Sequence, residues 1–246
     1  MTRSASRSLL AVTAIALGAC TPFALSPPAR TLPLESPATL EEGEVAVQAA
    51  GGYHDAVPMR IGSAAVRARI GIVSLLELQL EGTYAHVDYG DERSPHLVAG
   101  RAGLKVAPIP HIAFVAGLGV GTHSYGSFSA PDLGLIVGYE NPYFVPWTAF
   151  RGFVSLPIDA NRVVVTQTDS EGAVEEFVLT PPGTAGWQLS TGFRIPIPVA
   201  SPHEPGVVDR VDLHAGIGLA HLYSLDTDDS LGLYHVELGV EIVLAP

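Results

Sequence analysis

The chain has a single cysteine among 246 residues, so it has no disulfide framework and no cysteine-built zinc module. Positive charge is also scarce: 13 Lys and Arg stand against 25 Asp and Glu, a net charge of −12. Phosphate binding needs a basic face, and this balance excludes nucleic acid as a partner. Charged residues make up only 15% of the chain. Nine histidines are present, yet no His-x-His or His-Glu-x-x-His occurs, and none has a serine two positions after it. His123 and Ser124 are adjacent, which on a strand turns them to opposite faces and prevents a nucleophile and base from meeting. The expectation is a protein with no cofactor, no metal and no enzymatic role.

What the chain does have is alternation. From Arg60 to Val87 it reads RIGSAAVRARIGIVSLLELQLEGTYAHV, two long strands folded back at Val73 and Ser74. Ala64, Val66, Ala68, Ile70 and Ile72 fall on one face, with Arg67 and Arg69 on the other. After the turn, Leu76, Leu78, Leu80, Gly82 and Tyr84 alternate with Glu77, Gln79, Glu81 and Thr83. Ordinary globular strands run roughly 5–6 residues, whereas a tilted strand crossing a bilayer needs about 9–11. The same pattern begins at Val45 and returns at His96 to Val106, His111 to Ser124, Leu133 to Tyr139, Phe144 to Leu156, Trp187 to Ile195, Val211 to Leu219 and Leu233 to Leu244. That predicts an all-β, closed antiparallel up-and-down transmembrane barrel of about ten strands, with eight the smaller count allowed. An extra β-hairpin is expected at Arg162 to Leu179, turning at Ser170-Glu171-Gly172. Val163, Val165 and Phe177 would be its recognition surface.

The first residues read differently. Arg3 and Arg7 precede an apolar run from Leu9 to Ala19, too short to span a bilayer as a helix, which marks residues 1–19 as an export signal. Leu17-Gly18-Ala19-Cys20 resembles the lipobox of bacterial lipoproteins. That resemblance implies that the Cys20 thiol is acylated with diacylglycerol and that cleavage leaves it as residue one, and, with Thr21 where an inner-membrane retention signal has Asp, sorting to the outer membrane. Residues 20–43 carry prolines at 22, 27, 28, 33 and 37 and show no sustained period. They read as an extended, lipidated tether running from the membrane surface to a barrel domain at 44–246.

Connections sort by parity. Short turns are expected at Val73-Ser74, Pro108-Ile109-Pro110 and Asn141-Pro142, with longer ones at 88–95, 125–131, 157–183 and 223–232; the long connection at 196–208 breaks the rule. Short turns at one end and long loops at the other are typical of outer-membrane barrels. The phrase from Arg69 through Ile70-Gly71-Ile72-Val73-Ser74 to Glu77 resembles the strand, turn, strand phrase of small outer-membrane β-barrel proteins of Gram-negative bacteria. The final stretch, Glu237-Leu238-Gly239-Val240-Glu241-Ile242-Val243-Leu244, is similar to the closing strand read by the barrel-assembly machinery, although the chain ends Ala245-Pro246 rather than in an aromatic. The resemblance implies outer-membrane localisation, anchored through Cys20, with membrane lipid and that machinery as partners. It identifies no extracellular ligand.

In a closed sheet the polar members of each alternation face inward: Glu44, Gln48, Arg67, Arg69, Glu77, Gln79, Glu81, Arg101, Lys105, Glu140, Gln188, Arg194, Asp212, His214, His235, Glu237 and Glu241. Such a lumen is an ion-paired, side-chain-filled plug, consistent with a structural or binding barrel working through its loops. Two alternatives stand beside it: a narrow conduit for small solutes, and a lipid-anchored soluble lipocalin-like barrel with the charges in water. Tyr53, Tyr84, Tyr139, Trp147, Trp187 and Tyr234 near strand ends suggest aromatic girdles. The acidic stretches at 88–92 and 226–229 match no complete calcium-loop spacing and read as solvated charge.

Overall fold

The computed structural model describes residues 26–56, 59–88, 96–124, 126–160, 163–168, 174–179, 182–199 and 207–246. Twelve strands follow in chain order: β1 (Val45–Ala56), β2 (Met59–Val73), β3 (Leu76–Asp88), β4 (His96–Ile109), β5 (Ile112–His123), β6 (Gly126–Gly138), β7 (Val145–Ala160), β8 (Val163–Thr168), β9 (Val174–Leu179), β10 (Thr184–Pro198), β11 (Val208–Ser224) and β12 (Ser230–Leu244). Ten of them close an up-and-down antiparallel barrel, with β12 sealing against β1 from Val45↔Leu244 to Asp55↔Tyr234. Strands β8 and β9 form a separate two-stranded sheet inserted between β7 and β10. Their backbone is described; the side chains of Val163, Val165 and Phe177 and the turn at 169–173 lie outside the described residues.

The wall is inverted relative to a soluble barrel. Along β4, Val98, Leu104 and Val106 point outward while Arg101 and Lys105 point in and are buried. Phe114, Leu118, Leu133, Phe150, Ile217 and Leu238 continue the exposed apolar surface around the circumference. A lipocalin-like arrangement would reverse these faces, so the soluble alternative is overturned: its charges would face water, and here they face the interior. The closed transmembrane barrel of ten strands leaves no sheet edge, as the hydrocarbon layer demands.

Two ends can be distinguished. One carries the turns at 74–75, 110–111 and 139–144, the end of β10, the start of β11 and the C terminus; the other carries the β8–β9 hairpin and the 225–229 connection. They are called here the turn end and the hairpin end. Exposed Tyr53, Tyr84, Tyr223 and Tyr234 lie near the hairpin end on β1, β3, β11 and β12, and Tyr139, Tyr143 and Phe144 in the β6–β7 connection at the turn end. Trp147 does not belong to either group. It is 2% exposed and points inward, because it shares strand parity with Ala149, Arg151 and Phe153; unsubstituted Gly192 and Gly216 give its indole room.

The expected loop at 125–131 is a strand. Residues Gly126 to Pro131 extend β6, with Phe128 and Ala130 inward and Pro131 outward. Pro131 pairs with Leu118 of β5, and the ladder to β7 passes from Ser129↔Leu156 to Asp132↔Phe153 with no pair at the proline. A residue without an N–H is tolerated where its missing donor would face an interrupted ladder.

Residues 26–40 are extended, as their proline content predicts, but they do not run outside the barrel. Ala29, Leu32, Leu34 and Leu40 are buried along with Arg30 and Glu35. The segment runs down the lumen from the hairpin end to the turn end. At Glu41 to Glu44 it reverses into β1 through a tight turn, with Gly43 at φ 84 and the Glu44 N–H donating to the Glu41 carbonyl at 3.1 Å. That left-handed φ suits glycine at the third position of a type II turn.

Candidate functional site in the barrel lumen

The lumen is organised by pairs that strand register creates. Arg67 directly opposes Glu81 across β2 and β3, and Arg69 opposes Gln79, with Glu77 two residues along. Arg67 Nε lies 2.6 Å from Glu81, and Arg69 Nη1 lies 3.0 Å from Glu77 while its Nη2 reaches Glu241 at 2.5 Å. Arg101 grips Asp132 through two bonds of 2.6 and 2.8 Å. Its guanidinium lies across Gly103 and Gly117, where any side chain would collide with it. Near the turn end, Arg194 bridges Asp212 at 3.1 Å and Glu140 at 2.5 Å. Gln79, Lys105, His235 and Glu237 are buried as well.

The 26–40 segment completes this network. Arg67 donates to the carbonyls of Leu34 and Leu32 at 2.9 and 3.1 Å, and Lys105 donates to that of Ala38 at 2.5 Å. In the other direction, the Ala38 N–H donates to Glu140 at 3.1 Å and the Leu40 N–H to Glu77 at 3.2 Å. Glu35 sits among cations: Arg30 at 2.9 Å, Arg151 at 3.6 Å and Lys105 at 3.7 Å, and it accepts from Gln79. Arg30 in turn reaches Glu81 at 3.2 Å. The glycines record the same passage. A Cβ at Gly119 would fall on Ala29 and one at Gly52 on Leu32, while at Gly71 it would strike the Glu41 backbone. These strand glycines make room for a second backbone.

Sequence reasoning missed Arg30, Glu35, Asp132 and Arg151. Asp132 fell one residue outside the strand as read, and Arg151 was recoverable from its spacing of four from Trp147 once that residue was known to face inward. Arg30 and Glu35 are the two charges of the stretch from Cys20 to Leu40, a signal that such a stretch has partners.

Two serine–histidine pairs also face the lumen. His54 Nε2 lies 3.0 Å from Ser63 Oγ, and His235 Nε2 lies 3.0 Å from Ser190 Oγ. Ser190 and His235 are held on β10 and β12 and meet over Gly218 of β11, which opposes both. Glu237 approaches the same Nε2 at 3.6 Å rather than the opposite ring nitrogen. A carboxylate that orients a catalytic histidine must hold the nitrogen remote from the nucleophile, so this trio lacks the required geometry. Among the described residues, Asp212, His214 and Glu241 could share a cation, their ligand atoms lying within 4.8 Å of one another. Arg194 and Arg69 already occupy the two carboxylates. In the acidic 226–229 loop, Asp226 accepts from the Gly183 N–H at 3.1 Å and Asp229 from the Thr227 hydroxyl at 2.7 Å; residues 89–92 lie outside the described residues.

No family model and no curated protein matches the chain. Solved structures with a similar fold include the beta domain of the Bordetella autotransporter BrkA, at 11% identity and a TM-score of 0.46, covering 82% of this chain and 99% of that one. The translocator domain of autotransporter NalP from Neisseria meningitidis aligns at 11% identity and a TM-score of 0.41, over 97% and 95% of the two chains. The N-terminal β-barrel domain of Pseudomonas aeruginosa OprF aligns at 12% identity and a TM-score of 0.35, over 83% and 99%.

The network makes a prediction about coupling. Glu77 touches Arg69, Gln79 and the Leu40 N–H and lies 3.7 Å from Lys105, so Glu77→Ala leaves buried cations undercompensated and costs about 3–5 kcal/mol. Arg69→Ala combined with Glu77→Ala costs less than the sum of the two alone. Thermal conversion of the folded band on a detergent gel measures this; additive losses would contradict the coupling.

Proposed function

We propose that this chain is an outer-membrane lipoprotein whose barrel is closed by its own N-terminal segment and serves a structural or binding role through the loops of its hairpin end. The observation that carries the reading is the seating of residues 26–40 in the lumen, with Glu35 among Arg30, Lys105 and Arg151. A ten-stranded barrel has little interior to spare, and a second backbone with its side chains occupies it. The barrel strands run 12 to 17 residues, more than the roughly 9–11 a tilted strand needs to cross a bilayer, and their outward face is apolar. By the general rule for such barrels, the turn end with its short connections faces the periplasm and the hairpin end faces outward.

The finer parts of the reading rest on sequence. Cys20 in its lipobox would carry the lipid, and β12, alternating Glu237 and Glu241 inward with Leu238, Val240 and Ile242 outward, would be the strand engaged by the barrel-assembly machinery. An enzymatic role is not proposed. Ser190 and His235 are buried deep in the occupied lumen, and a hydrolase needs its nucleophile open to substrate.

The plug and the conduit differ in a measurable current. In planar bilayers the intact protein is silent, and a variant lacking residues 26–40 shows steady conductance steps. Steps of equal size from the intact protein would replace the plug by a conduit. For the lipid, cells fed a radioactive fatty acid label the wild type and leave Cys20→Ser unlabelled; equal labelling of the two would remove the anchor from the account.

A further inference from the structure

The contacts of the lumenal segment fix its direction. At the hairpin end, the Ser26 N–H donates to Thr184 Oγ1 and its hydroxyl to the Pro182 carbonyl, both at 3.0 Å. Thr184 opens β10 immediately after the hairpin insertion. Further along, Ala29 meets Gly119, Leu32 meets Gly52, Leu34 meets Gly239 and Pro37 meets Gly138. At the turn end, the Thr39 hydroxyl donates to the Ser74 carbonyl at 2.7 Å, and the Gly43 N–H donates to Gly71 at 3.0 Å. From Ser26 to Leu40 is 40 − 26 = 14 residue steps. At about 3.1 Å per step for an extended proline-rich chain this is roughly 43 Å, the full thickness of a bilayer with its headgroups at about 40–45 Å.

We infer that the barrel carries its own N terminus across the membrane, so that the chain preceding Ser26 leaves at the hairpin end and a lipid on Cys20 seats in the leaflet beside that end. Covalent reach decides between the two leaflets. Cys20 is 26 − 20 = 6 residue steps from Ser26, at most about 20 Å when fully extended. Returning to the turn end would mean crossing a hydrocarbon layer of about 30 Å, and the lumen is already occupied by residues 26–40. A lipid at the turn end does not fit this geometry: β1 begins there, but the chain before it has already crossed the barrel. Exposed Tyr53, Tyr84, Tyr223 and Tyr234 lie near the same end as the chain before Ser26, and aromatic side chains of this kind mark the level at which lipid headgroups begin. The barrel thus acts as the device that places a lipid-bearing N terminus on the outer side, with the lipid layer itself as the partner. The placement of the lipid rests on the acylation proposed above; the threading does not.

Single cysteines test the threading in a Cys20→Ser background, using the bands that remain heat-modifiable and hence folded. Ala24→Cys reports the chain before the lumen, Asp228→Cys the hairpin end and Ser74→Cys the turn end. With a membrane-impermeant maleimide on intact cells, position 24 is expected to label with 228, and 74 only after the outer membrane is disrupted. Position 24 labelling only when 74 does would overturn the inference. Ala24→Cys is then repeated with Cys20 retained and fatty-acid incorporation followed in the same cells. Incorporation together with an accessible position 24 places the lipid on the hairpin side; incorporation with position 24 accessible only after disruption overturns that placement. Absence of incorporation in cells that still label position 24 refutes the acylation and leaves the threading in place.

Discussion

A charge that faces the inside of a membrane barrel has little water to solvate it, and leaving one unpaired costs several kcal/mol. The ion pairs of this lumen answer that constraint. Glu35 is its focus: a carboxylate from the N-terminal segment set against Arg30, Lys105 and Arg151. Without it, the carboxylate left to Arg151 is Asp132 at 3.6 Å, and to Lys105 it is Glu77 at 3.7 Å. The wall and the segment are therefore one electrostatic unit, and the barrel interior is incomplete until residues 26–40 are seated.

Packing follows the charges. Strand glycines that would weaken an ordinary sheet sit where the segment passes or where a guanidinium lies flat, as at Gly119 under Ala29 and Gly117 under Arg101. The segment contributes one residue of each sign, Arg30 and Glu35, so it fills the lumen without altering its net charge. Its leucines pack in the same passage, Leu34 with Trp147, Ala113 and Ile136. Hydrogen bonds from Arg67 and Lys105 satisfy carbonyls that a proline-rich chain cannot pair within itself. Proline content, a liability in a strand, is here the means of keeping the segment extended.

Much of the wall was legible in the sequence because a period of two over a dozen residues has few other meanings. The strand limits near Val73 and Ser74 follow from the alternation, with the turn itself at Ser74 and Leu75; the pairing of Arg67 with Glu81 depends on a register shift between Gly71 and Val73, which counting back from the turn does not give. Other features depended on information that alternation does not hold. Pro131 suggested a break, and only the ladder on either side of it shows that β6 begins at Gly126. Trp147 near a strand end looked like a girdle residue, yet parity with Arg151 turns it inward. Ser190 and His235 are 45 residues apart in sequence and meet only through the register of three strands. The lumenal course of residues 26–40 had no period to reveal it: composition predicted an extended chain and was silent about what would surround it.

The seating of that segment is tested most directly by trypsin. Arg30 is the one lysine or arginine between Cys20 and Met59, and in the folded barrel it is 1% exposed. Folded protein in detergent, digested and read by N-terminal sequencing and mass, should keep the Arg30–Thr31 bond intact until heating unfolds the barrel. Prompt cleavage at Arg30 while the barrel stays folded would contradict the account, since it would place the segment outside the lumen.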